Sequence, residues 1–284
     1  MAVLLALFSA LAYGVSDFIG GLVSRRASVW SVAVVAQVGA VTFSTLLAVL
    51  VGGSPSRADM AWAVLAGLGS AAGIGFLYRG LATGRMGVVA PVSAVGSAVV
   101  PVLVGTVTGE RPSTLVWAGV ACALPAIYLV ARSPRDQDKV RPDGGEDRTA
   151  GAFVDGVLAG LGFGVLFAAL GQVSEEAGLW PVAAGQGVSI VALVMLASML
   201  RASWVPREPR TAVAALAGVL GAAANAAFLL SAQAGFLSVA GVLSSLYPAT
   251  TVLLAALVLH ERVHRLQGVG LALCVVAIGL VAAG

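Results

Sequence analysis

Gly119-Val120-Ala121-Cys122-Ala123-Leu124-Pro125-Ala126-Ile127-Tyr128-Leu129-Val130-Ala131 has a counterpart 151 residues further on, Gly270-Leu271-Ala272-Leu273-Cys274-Val275-Val276-Ala277-Ile278-Gly279-Leu280-Val281-Ala282. The identities fall at Gly119, Ala121, Ala126, Ile127, Leu129, Val130 and Ala131. The same offset pairs Ala61, Ala63, Leu65, Ala66 and Gly67 with Ala212, Ala214, Leu216, Ala217 and Gly218, Ser93 with Ser244, and Glu110-Arg111 with Glu261-Arg262. At an offset of 150, Leu11, Gly14 and Val15 meet Leu161, Gly164 and Val165, Tyr13 meets Phe163, and Trp30 meets Trp180. An alanine- and valine-rich chain matches itself easily by chance. One offset holding across several segments, a Glu-Arg pair included, is an internal repeat.

Each repeat unit is written for lipid. Hydrophobic residues make up 59% of the 284 and charged residues 10%, against roughly 25% charged in a soluble domain. A bilayer core takes about 20 apolar residues in a helix, and ten stretches qualify: roughly 2–23, 31–52, 60–82, 87–108, 113–131, 151–173, 179–200, 211–234, 237–259 and 265–283. The runs are continuous, whereas a membrane strand alternates over about ten residues. The expected fold is therefore an all-α polytopic membrane protein. Its 36 glycines suit close helix packing in lipid, as do the spacings Gly69-xxx-Gly73 and Gly160-xxx-Gly164. Met1-Ala2-Val3-Leu4 has no basic flank, so the first span reads as retained rather than as a cleaved signal.

Ser133 to Thr149 is charged, carries Pro and Gly, and is almost free of apolar residues. It divides the chain into a first repeat at 1–131, a polar linker at 132–150 and a second repeat at 151–284. Five spans is an odd number, so the second repeat enters the membrane upside down. Ten transmembrane helices in two inverted five-helix repeats are a hallmark of secondary transporters, whose site lies near the midplane. Of the 16 lysines and arginines, only Arg57 and Arg111 fall on one side of these spans. The positive-inside rule puts that side outside, with both termini, and the linker in the cytoplasm. A multi-pass protein of the cytoplasmic membrane is expected.

Two spans close on a glutamate: Val102-Leu103-Val104-Gly105-Thr106-Val107-Thr108-Gly109-Glu110, and the run from Pro248-Ala249-Thr250-Thr251 to Leu259-His260-Glu261. With the five-plus-five layout, these ends resemble the EamA-like family of the drug/metabolite transporter superfamily, over nearly the whole chain. The resemblance implies transport of an amino acid, another metabolite or a drug-like solute; some relatives move lipid-linked carriers, which makes a flippase the alternative. The family's proline stands at Pro248, but its first-half equivalent is Ser97, flanked by Pro91 and Pro101. Many members keep their termini in the cytoplasm, opposite to the charge pattern here; the superfamily contains both topologies.

Ionisable groups within hydrocarbon are costly and mark function. Asp17 lies eight residues before Arg25, about 12 Å along a helix. Its structural reading is a pair with Arg79, at similar depth; its functional reading is proton or substrate coupling. Gln37, Gln186, Asn225, Ser244, Ser245 and Tyr247 also fall inside spans. Each either bonds a neighbouring helix or lines a site. Pro248 breaks the local hydrogen-bond ladder and could free backbone groups for a solute. Tyr13 and Tyr78 would add aromatic surface. Such an amide and hydroxyl lining favours neutral or zwitterionic solutes over polyanions. Glu110 and Glu261 read as solvated helix ends or as gates paired with arginines, and Asp155 as an acid favoured by the start of its helix.

His260-Glu261-Arg262-Val263-His264 matches H-E-x-x-H, in which two histidines one turn apart bind zinc beside a glutamate base. An intramembrane zinc protease is the less expected alternative: these are the only 2 histidines, and the pattern falls where a span should end. No metal, cofactor or enzymatic activity is expected. Cys122 and Cys274 read as small buried side chains, and a net charge of +3 spread over short loops gives no nucleic-acid signal. There is no G-x-x-x-x-G-K-[ST] loop, so the drive is a proton or sodium gradient, a partner ATPase or the solute's own gradient. The partners are a small solute and the bilayer; no oligomeric state follows from the sequence.

Overall fold

The computed structural model describes residues 1–24, 26–82, 86–131, 145–260 and 262–284. The described residues form α1 (Ala2–Ser24), α2 (Val29–Val51), α3 (Arg57–Ala82), α4 (Met86–Val107), α5 (Thr114–Ala131), α6 (Gly145–Leu170), α7 (Trp180–Met199), α8 (Ala214–Gln233), α9 (Leu237–Ser244), α10 (Tyr247–Val258) and α11 (Arg265–Ala283). Ten spans are long and apolar enough to cross a membrane. The ninth is two helices, because α9 stops at Ser244 and α10 restarts with Pro248 in its first turn. α6 begins at Gly145, six residues ahead of the apolar run. α8 is entered through a 3-10 turn at Pro209–Val213.

Neighbours are set by side-chain size. The described core is largely alanine and valine, while Leu4, Phe8 and Leu11 of α1 and Leu46, Val49 and Leu50 of α2 face outward. Lipid is as apolar as leucine, so no hydrophobic force drives helices together within it; small residues let backbones approach and dispersion do the rest. α2 crosses α8 where Gly39 meets the Ala215 carbonyl and Gly218 meets the Ala36 carbonyl. α3 crosses α7 at Gly67 and Gly185, α4 crosses α6 at Gly96 and Gly160, and Gly69 and Gly73 face Gly162 and Phe163 of α6.

Most of this packing runs between the repeats. α3 packs on α6, and its counterpart α8 packs on α1; α4 packs on α6, and α9 and α10 pack on α1; α2 packs on α8, and α7 packs on α3. α5 with α11 and α2 with α7 are each their own counterpart. These contacts survive exchange of the halves, whereas α5 also packs on α4, α9 and α10 and α11 packs on α5. Gly14 against Thr250 of α10 is repeated as Gly164 against Val100 of α4.

Candidate functional site

We refer to the ends of the bundle by their arginine content; the arginine-poor end carries Met1, Arg57, Arg111 and Gly284. Midway along, α1 and α8 run close together, with the Ser16 hydroxyl donating to the Ala217 carbonyl at 2.7 Å. The Tyr13 hydroxyl donates to Asn225 Oδ1 at 2.5 Å. Asn225 is buried, and a buried amide without partners would cost several kcal/mol in so apolar a setting. The Tyr13 ring stands edge-on to Phe167 at 5.8 Å and tilted against Tyr247 at 6.1 Å, and Phe167 stacks on Phe228 at 4.5 Å. Tyr13, Asn225 and Tyr247 are thus brought together. Phe167 and Phe228 escape a sequence reading, because a phenylalanine in an apolar run carries no signal of its own.

Asn225 and Gln186 line a cavity with Ser70, Gly67, Gly185 and Leu166. Its volume is about 10 Å³, room for little more than one water. Beside it, Gln37 Nε2 donates to Ser189 Oγ at 2.5 Å and Ser189 Oγ donates to Ser70 Oγ at 3.2 Å. Gln37 and Gln186 therefore take their places in one polar layer across α2, α3, α7 and α8. Ser70 and Ser189 complete it and had not stood out among many serines.

Ser245 and Leu246 form the break between α9 and α10. Ser245 Oγ lies 3.1 Å from Ser97 Oγ of α4, its repeat partner to within three residues, and Ser244 Oγ reaches the Ala6 carbonyl at 3.5 Å. Pro248 is buried. α4 stays continuous through Pro91 and Pro101, and Pro101 packs onto Gly241 of α9.

Asp17 is exposed, although it sits on the inward side of α1. Nine residues at about 100° each put it opposite the outward-facing Phe8. It shares a stripe with Tyr13, Ala10 and Ala6, all partly or fully buried. The buried stripe of α1 thus opens at Asp17. The broken span shows the same asymmetry: all eight residues of α9 are buried, whereas in α10 only Pro248 is. Towards the arginine-rich end, called here the open end, α1 and α10 are thus less covered than α9 is at the arginine-poor end, called here the sealed end.

The expected Asp17–Arg79 pair is not formed. Arg79 donates through Nε at 2.9 Å and Nη2 at 2.5 Å to Asp155 Oδ1, and its guanidinium lies 4.7 Å from the centre of the Phe76 ring. The reason is packing: α3 lies along α6, which carries Asp155. Asp155 is likewise no acid at a helix start, since α6 begins ten residues earlier. Its side chain is 6% exposed against 49% for Arg79. Arg79→Ala therefore strands the buried partner and is expected to cost about 1–3 kcal/mol. Thermal unfolding should find part of this recovered in Arg79→Ala/Asp155→Ala, because the orphan is removed with its partner.

The sealed end is tied by carboxylates. Asp59 closes a capping box with Ser56, whose N–H and hydroxyl donate to Asp59 Oδ2 at 2.8 and 2.6 Å. It also accepts from the backbone N–H and hydroxyl of Ser174 in the second half, at 2.8 and 3.1 Å. Asp59 was legible as Ser56-x-x-Asp59 ahead of an apolar run, but its tie to Ser174 was not. Gly53 and Gly178, at φ +127° and +57°, bring their loops into backbone contact. Glu110 is neither a solvated end nor paired with an arginine: its carboxylate accepts the backbone N–H groups of Leu237 and Ser238. Glu261 lies outside the described residues, as does the side chain of Tyr78.

His260 and His264 do not stack one turn apart. α10 ends at Val258, His260 turns left-handed at φ +55°, and His264 is the N-cap of α11, its N–H donating to Gln267. The H-E-x-x-H pattern needs one unbroken helix and spans a helix break instead. Among the described residues no three His, Cys, Asp or Glu side chains converge as metal ligands.

The chain superposes on a solved crystal structure with a TM-score of 0.76 over 99% of this chain and 96% of that one, at 14% identity, which speaks to the fold alone. No curated protein matches it. The model of the EamA-like transporter family matches twice, over residues 1–132 and 152–283. One match falls on each half of the bundle, and the chain belongs to the EamA-like transporter family.

Proposed function

We propose that the chain is a secondary transporter that carries a small metabolite, amino acid or drug-like solute across the cytoplasmic membrane by alternating access. The observation that carries this reading is the contrast between α9, buried throughout, and α10, buried only at Pro248, in a bundle whose two repeats are inverted. Two inverted units in identical conformations would leave both ends alike. In this reading the less covered α1 and α10 mark the arginine-rich end as the open one, and exchanging the conformations of the halves gives the opposite state.

In this reading the solute site is the midplane layer of Tyr13, Tyr247, Asn225 and Gln186, with Gln37, Ser244, Ser245 and Pro248 supporting it. Asp17 stands at its open side as the coupling group, for a proton or sodium ion. A cavity of about 10 Å³ lined by α3, α6, α7 and α8 does not admit a solute, so in this reading those helices part on entry. The arginine count places the open end in the cytoplasm and both termini outside. The division at 132–150 then lets the polar segment link the repeats on the cytoplasmic side.

The test is flux in liposomes holding the purified protein, over a panel of amino acids and neutral or zwitterionic metabolites, with imposed proton or sodium gradients. Saturable flux that follows one of the gradients is expected. Rates equal to empty liposomes for every solute and gradient would sink the reading.

A further inference from the structure

α9 poses a hydrogen-bond problem that the first half of the chain solves. The first amides of any helix lack intrahelical acceptors. Phe236, at the N-cap, supplies no side-chain acceptor. Every residue of α9 is buried, so water is kept from the span. Glu110, from the turn after α4, provides both acceptors: Oε1 takes the Leu237 N–H and Oε2 the Ser238 N–H. The carboxylate folds back over Gly105, where a Cβ would collide with it, and the Glu110 N–H is itself held by the Gly105 carbonyl at 2.9 Å. A charged acceptor on helix-end amides is among the stronger protein hydrogen bonds, and this one joins the two repeats across the sealed end.

Two features separate this tie from ordinary capping. The Asp59–Ser174 tie beside it has no counterpart, since Arg210 stands 151 residues after Asp59. Glu110 has Glu261 at that offset, and the residues that donate to it, Leu237 and Ser238, correspond to Met86 and Gly87, which open α4. Ser238 is also fully buried, and its hydroxyl has no partner among the described residues. A permanent seal would have little reason to keep such a group.

Resting on the alternating-access reading, we propose that Glu110 is a latch that releases the α9 amides each time the arginine-poor end opens.

The experiment uses the full chain in lipid nanodiscs with Cys122→Ala and Cys274→Ala, and one reporter at a time for a water-soluble maleimide. Ser238→Cys reports the sealed end. Ser24→Cys reports the open end, on the α1 stripe seven residues beyond Asp17. Glu110→Gln should raise labelling at Ser238→Cys by at least about tenfold, the scale of one charge-assisted bond, and lower it at Ser24→Cys. Gly105→Ala, which displaces the carboxylate without removing it, should do the same. Unchanged Ser238→Cys labelling in both Glu110→Gln and Gly105→Ala overturns the latch, whatever the flux assay gives. A rise at Ser238→Cys with no fall at Ser24→Cys keeps Glu110 as the tie and overturns alternating access instead.

Discussion

Asp17→Asn is expected to reduce gradient-driven flux to the level of empty liposomes while leaving the protein folded. The substitution is isosteric and removes only the charge. Asp17 is exposed on the inward side of α1, so no packing is lost, and the change in stability should stay within about 0.5 kcal/mol, as for surface positions. The geometry sharpens this contrast. Had Asp17 been the partner of Arg79, its loss would have stranded a cation and destabilised the bundle. Arg79 is held by Asp155, so nothing is orphaned. Asp17 has no hydrogen bond or ion pair among the described residues, and an ionisable side chain within a span is a functional candidate. Unchanged flux with an unchanged pH dependence would remove Asp17 from the mechanism. A large fall in unfolding temperature would show a structural role instead.

The largest effect on stability is expected at the α2–α8 crossing. Gly218→Ala adds one methyl group, and its carbon would overlap the Ala36 carbonyl of α2. The obstacle is backbone, which cannot rotate aside, so the two helices must separate along their length. Overpacking typically costs 1–3 kcal/mol, and a backbone obstacle puts this site at the upper end, about 3 kcal/mol. Gly279→Ala in α11 is the matched control. A Cβ there meets nothing within 4 Å, and the better helix propensity of alanine is expected to add up to about 1 kcal/mol. Thermal unfolding of both variants in one lipid checks the difference. Equal unfolding temperatures would mean that close approach at Gly218 carries no stability.

The ten spans and their inversion were legible because they rest on lengths and an odd number. Boundaries slipped where apolar character and helicity part company. α6 begins at Gly145 in polar sequence, since helices outlast the hydrocarbon, and the span at 237–259 is two helices around Ser245 and Leu246. Among site residues, Tyr13, Asn225 and Tyr247 were visible as polar groups in apolar runs, and they meet. Phe167 and Phe228 were hidden by their ordinariness. Glu110 stood out, but its partners did not, because backbone amides leave no mark in a sequence.

Sequence alone determined that this chain lives in lipid as ten helices in two inverted units. Hydrocarbon thickness sets the length of a span, and unpaired backbone groups are not tolerated there; both constraints act on each segment separately. Tertiary structure decided which carboxylate holds Arg79 and which helix end Glu110 caps. Those outcomes depend on how helices 70 to 130 residues apart cross and slide against one another. That register is set by the fit of small residues across each crossing, which no single segment encodes.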